Sequence, residues 1–163
     1  MNKYTSDGEF WSITEDILTH SEFNKIKNEN HHGINRYNHS LKVAYRSYKI
    51  AKKLKLDYKA VARAGLLHDF FFSTDIKENE SPYLSHPSKS LTNASKYFKL
   101  NEVEVDIITK HMFPAVFKFP KYKESWVVST VDTGVATVEF GKKFKTQLSV
   151  AVNLFLIFIL KTF

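Results

Sequence analysis

Four histidines and two aspartates are the residues of this chain best suited to do chemistry. They occur in the order His39, His68-Asp69, His86, His111, Asp132. Neutral imidazole combined with carboxylate suits first-row transition metals such as Fe, Mn, Co, Ni or Zn, whereas an oxygen-only set would suit Mg or Ca. A lone histidine in a helical pattern is more often a core or surface residue than a ligand, and a His-Asp dipeptide by itself means little. Six such residues at intervals of one helix and its turn are harder to dismiss, because the chain could return repeatedly to one point. Neighbouring residues on a helix diverge by about 100°, so His68 and Asp69 need a helix end to grip one ion together. The run Phe70-Phe71-Phe72 follows directly and is expected to wall the site from water. The absence of cysteine excludes thiolate ligands, cysteine nucleophiles and disulfides.

The elements that must carry these residues read as helices. Ser12 with Glu15 resembles a capping box for a first short helix, and a second is expected over Glu22 to Asn28. From Asn38 to about Leu54, Leu41, Tyr45 and Tyr48 recur at helical spacing. Asp57 is the expected N-cap of the helix that leads to His68. The polar stretch from Ser73 to Ser81 reads as a loop ending at Pro82, followed by a helix from about Ser88 to Phe98. Asn101 with Glu104 reads as a second capping box, opening a helix toward His111. Pro114 and Pro120 bracket an aromatic connection. The segment from Trp126 through Asp132 to Phe140 is rich in valine and threonine, so strand competes there on propensity. No useful period-two alternation appears elsewhere, and the fold class is all-α.

The 163 residues fit a single domain with one core. No signal-like N-terminus is evident, and a cytoplasmic protein is the expectation. The net charge of +7 favours anionic partners. The lysines are scattered, with Lys142-Lys143-Phe144-Lys145 the one tight cluster, which argues against nucleic acid. Residues 148–160 are almost wholly apolar but too short to span a bilayer comfortably, which takes about 20 residues. A buried C-terminal helix over about 146–160 is preferred there to a membrane-surface or partner-docking one. His20, His31 and His32 read as surface or loop residues.

The order and local contexts resemble the HD-domain superfamily of metal-dependent phosphohydrolases. Arg36-Tyr37-Asn38-His39-Ser40-Leu41 is similar to that family's first-histidine helix, and Ala62-Arg63-Ala64-Gly65-Leu66-Leu67-His68-Asp69 to its central motif. His86-Pro87 and His111-Met112-Phe113-Pro114 resemble the branch with two additional histidines, and Val131-Asp132 the final aspartate. The resemblance covers about residues 22–140. It implies a helical core around a metal centre. His39, His68, Asp69 and Asp132 would hold one ion, and Asp69 would bridge to a second held by His86 and His111. A metal-activated hydroxide would then attack phosphorus. Arg36, one turn before His39, is the best candidate for a cation on the substrate phosphate, and Lys110 a weaker one. The expected substrate is a small phosphate mono- or diester, nucleotide-like in related branches. No Gly-Tyr-Pro motif is present, and Thr133 stands where related sequences suggest lysine. Two alternatives keep the fold: a di-iron oxygenase on the same ligands, and a non-catalytic sensor.

Overall fold

The structure, a computed structural model, describes residue 4, residues 6–31 and residues 34–141. The apolar stretch 148–160 and His32 lie outside the described residues. Within them the chain folds into seven helices: α1 (Gly8–Leu18), α2 (Ser21–Asn24), α3 (Arg36–Lys53), α4 (Tyr58–Leu67), α5 (Pro82–Tyr97), α6 (Glu102–Lys110) and α7, residues 123–141. A 3₁₀ turn, Lys25–Asn28, extends α2. The remaining regular structure is a second 3₁₀ turn, Ser73–Asp75, and an antiparallel pair of two-residue strands, Asn30–His31 with Ile34–Asn35. The fold is all-α.

Local side chains set most of the helix starts. Asp57 accepts from Ala60 N at 3.0 Å to open α4, and Asn101 and Glu104 form a reciprocal capping box on α6. Two starts differ from the sequence reading. α1 begins at Gly8 under Asp7, which accepts from Phe10 N at 3.1 Å, while Ser12 lies inside the helix and donates back to Glu9 O. α5 begins at Pro82 and runs through Pro87, so His86 is helical and not in a preceding loop. Proline at the first helical position has no N–H to lose, and Pro87 costs only one early hydrogen bond. In α7 helix wins over the strand propensity of its valines and threonines. Thr133 and Thr137 donate to the carbonyls of Ser129 and Thr133, at 3.0 and 2.7 Å, which accommodates β-branched side chains on a helix.

α4 is the central helix. All of its residues from Ala60 to Leu67 except Arg63 are buried, as expected of a helix that is apolar all round. It packs most extensively against α3, and also against α1 and α6. The α3–α4 approach depends on Gly65: a Cβ there would stand 2.7 Å from Ala44 Cα. Arg63 ties α4 outward through Glu104 of α6, at 3.2 Å, and Asp16 of α1, at 2.7 Å. α3 lays Ser40, Val43, Ala44, Ser47, Tyr48 and Ala51 along one buried stripe. It closes in a Schellman turn, with Leu56 N donating to Ala51 O at 3.0 Å and Lys55 in the left-handed region at φ 55°. Asp106 of α6 fixes the entry to α7 by accepting from Lys121 N, Tyr122 N and Ser125 Oγ.

Candidate metal centre

His39 sits in the first turn of α3, and His68 caps the C-terminus of α4 with Asp69 just beyond it. Ending the helix at Leu67 frees His68 and Asp69 from the divergence of consecutive helical positions, as the sequence required. His86 projects from the second turn of α5, His111 caps the C-terminus of α6, and Asp132 lies midway along α7. Five elements therefore deliver six side chains to one point. The rings form a continuous row, with centroids 5.5 Å apart for His39–His68, 4.9 Å for His68–His111 and 5.0 Å for His111–His86.

Each ring is oriented by a partner on its Nδ1. His68 bonds Gly65 O, His86 bonds Pro82 O and His111 bonds Ile108 O, each at 2.9 Å. A carbonyl only accepts, so Nδ1 carries a proton, and in the neutral ring Nε2 is left as a lone pair. His68 Nε2 is buried with no hydrogen-bond partner. His86 Nε2 and His111 Nε2 face each other at 2.9 Å. Two bare acceptors that close repel unless a cation lies between or beside them. His39 differs: its Nδ1 meets Glu139 Oε2 and its Nε2 meets Asp132 Oδ1, both at 2.9 Å.

Asp69 divides its carboxylate between the two ends of the row. Oδ2 stands 3.8 Å from His68 Nε2, while Oδ1 stands 3.4 Å from His86 Nε2 and 3.7 Å from His111 Nε2. Asp132 Oδ1 is 3.6 Å from His68 Nε2. Ligand atoms each about 2.1 Å from a shared ion stand roughly 3–3.5 Å apart, so these spacings need little adjustment to close on a cation. The donor set, the orphaned lone pair on His68 and the facing lone pairs of His86 and His111 all fit a bound divalent metal. His39, His68 and Asp69 form one candidate group, Asp69, His86 and His111 a second, and His68, His111 and Asp132 a third that links them.

The electrostatics agree. Burial opposes charge on His39, but its hydrogen bonds to Asp132 and Glu139 outweigh this and raise it to about 10. His68 is raised too, because Asp69 and Asp132 overcome its burial. Burial, with the charge of His68, drives His111 down to about 4. Asp132 is held well below the usual carboxylate range against its burial, by the hydrogen bond of His39 and the nearby His68 ring. Anionic oxygens thus concentrate on the His39 side, and burial keeps the His111 ring at the far end neutral.

A family model, the HD domain, matches residues 36–136, which spans all six of these residues. The chain belongs to the HD-domain family. No curated protein and no solved structure is significantly similar to it. The HD domain is a metal-dependent phosphohydrolase type of module, and the buried histidine and aspartate cluster of this member could hold a metal ion.

A cavity of about 260 Å³ opens onto this HD centre, lined by Asp69, His86, His111 and Asp132 on its polar side. Tyr83, Met112, Ala115 and Ala136 supply apolar wall. Neither Arg36 nor Lys110 is among the lining residues. Arg36 is buried, donates to Phe71 O at 2.6 Å and to Glu29 Oε2 at 3.4 Å, and stacks 3.7 Å over the Phe71 ring. Phe71 in turn lies 5.2 Å from the His86 ring. The phenylalanine run therefore divides its labour: Phe70 enters the core against Phe23 and Phe98, and Phe71 backs the centre at His86. Lys110 is partly exposed beside His111.

Glu139 is the residue the sequence reading missed. It is buried, bonds His39, and accepts from Lys42 Nζ at 2.8 Å. The signal was available, because Glu139 lies seven residues after Asp132, two turns along the same helix face.

Among the described residues, no helix is long and apolar enough to cross a membrane.

Proposed function

We propose that this HD domain is a phosphohydrolase acting on a small phosphate mono- or diester with a pair of divalent transition-metal ions bridged by Asp69. The observation that carries the reading is the split of the Asp69 carboxylate, with Oδ2 toward His68 and Oδ1 toward His86 and His111. His39, His68 and Asp132 would complete the first coordination set, and His86 with His111 the second. Bound at these positions, divalent cations supply a water acidic enough to ionise near neutral pH and positive charge opposite the phosphoryl oxygens.

The protein's own contribution is geometry and dryness. Carbonyl-bonded Nδ1 atoms hold three imidazoles with Nε2 facing the centre, so none of the three must turn to ligate. Phe71 and the buried faces of α3 and α4 keep bulk water from the rear of the site. The ester would enter from the cavity, with its leaving group against Tyr83, Met112 and Ala115. No lysine or arginine lines that cavity among the described residues, which leaves the phosphate charge to be met by the ions themselves.

The test is elemental analysis of the purified protein beside its Asp69→Ala variant, followed by phosphate release from a panel of nucleoside monophosphates and simple phosphomonoesters with Mn, Co or Ni. About two metals per chain, lost in the variant together with phosphate release, is the expected result. Oxygen-dependent turnover without phosphate release would transfer the same ligands to an oxygenase. A protein that retains no metal and releases no phosphate would be a non-catalytic member.

A further inference from the structure

Three of the four clustered imidazoles have Nδ1 fixed by a neutral backbone carbonyl, and only His39 has it fixed by a carboxylate. That carboxylate, Glu139, is 7% exposed, and a buried carboxylate is costly unless it is paired. Orientation alone does not require it, since carbonyls accomplish the same task at the other three rings. What a carboxylate adds is charge. Accepting the Nδ1–H bond, it pushes electron density toward Nε2 and makes that nitrogen a stronger donor. Asp132 Oδ1 stands 2.9 Å from the same Nε2, so two carboxylates converge on this end of the row. The far end has two rings on neutral carbonyls and only the shared Asp69.

We infer that Glu139 is a positioning residue that makes the His39–Asp132 side hold its cation more tightly than the His86–His111 side, so that the two sites fill in order. The inference rests on the two-ion reading above. Lys42, on α3 one turn after His39, binds the other Glu139 oxygen at 2.8 Å and withdraws part of its charge. Removing Lys42 therefore acts opposite to removing Glu139. A merely structural pair would make both losses act the same way.

The experiment titrates the full-length, metal-free chain with Zn²⁺ against a chromogenic chelator and resolves the two binding steps. Glu139→Gln and Glu139→Ala are expected to weaken the tighter step about 10–100-fold, the range for loss of a partner behind a metal-bound imidazole, and to spare the weaker step. Lys42→Met is expected to tighten the first step. Unfolding midpoints of the metal-free variants report whether the fold is kept. Glu139→Gln, which keeps size and one acceptor oxygen, decides the matter if the alanine variant does not fold. An unchanged first step in Glu139→Gln, an equal loss in both steps, or a weakened first step in Lys42→Met overturns this inference and leaves the metal reading standing. A wild-type chain that binds no Zn²⁺ overturns both.

Discussion

His86 Nε2 and His111 Nε2 stand 2.9 Å apart, each with its Nδ1 already committed to a backbone carbonyl at 2.9 Å. As neutral imidazoles, neither ring can donate to the other without giving up that carbonyl. The arrangement is stable when a positive charge joins the two lone pairs and Asp69 Oδ1, 3.4 and 3.7 Å away. Replacing His111 with glutamine should therefore remove one of two metals per chain while the other persists, and phosphate release should fall at least tenfold. Metal content by mass spectrometry of the folded variant checks this. Full retention of both metals would place His111 outside the coordination set.

In the metal-free protein, pH acts on the two ends of the row in opposite senses. His111, brought down to about 4 from 6.5, contributes fully above pH 6.5 and loses that contribution as pH falls toward 4. His39, brought up to about 10 from 6.5, contributes fully below pH 6.5 and loses it as pH rises toward 10. The unfolding midpoint of the metal-free chain should accordingly peak near pH 6.5 and decline on both sides. Metal binding must displace the His39 proton, so apparent affinity should climb between pH 6.5 and 9. Melting curves and chelator competition across that range measure both, and an affinity that drops with rising pH would contradict the assignment.

Gly65 leaves no room for a side chain against Ala44, where an added Cβ would lie 2.7 Å from backbone Cα. Gly65→Ala should cost about 1–3 kcal/mol of stability by forcing α3 and α4 apart. Because Gly65 O also holds His68 Nδ1, the same change should weaken metal retention. Denaturant unfolding with and without metal separates the two effects.

Arg36 offers a choice between two roles. Its guanidinium is engaged with Phe71 O, Glu29 and the Phe71 ring and does not line the cavity. Arg36→Met should lower stability by roughly 1–3 kcal/mol through the lost buried hydrogen bonds, and leave KM for a phosphomonoester within about twofold. A large rise in KM without loss of stability would restore it as a substrate cation.

Much of this centre was legible in the sequence because metal ligation demands residue types that are rare in helix cores. His39, His68, Asp69, His86, His111 and Asp132 stand out by chemistry and interval alone, and the structure brings all six together. Capping residues Asp57 and Asn101 were readable for a local reason, since a cap bonds within its own turn. Arg36 and Glu139 were not, because their roles depend on what another helix presents. A helix-periodic cation beside a ligand reads the same whether it faces substrate or a phenylalanine carbonyl. Glu139 shares a helix face with Asp132, but it meets His39 across 100 residues of sequence, so only the packing of the two helices shows which ring it holds. The start of α5 was hidden by Pro87, which suggests a break but costs little so early in a helix.

His68, His86 and His111 are each aimed by a carbonyl three or four residues earlier on their own helix. Every one of these helices thus carries its ligand already pointed, and the distances between ligands are set by how the helices stack. If these side chains hold ions as proposed, a shift of one helix by a fraction of an ångström would move its ligand with it. Ion selectivity in this protein should then respond to substitutions remote from the ligands, at the α3–α4 crossing for example, making the hydrophobic interior a gauge for ionic radius.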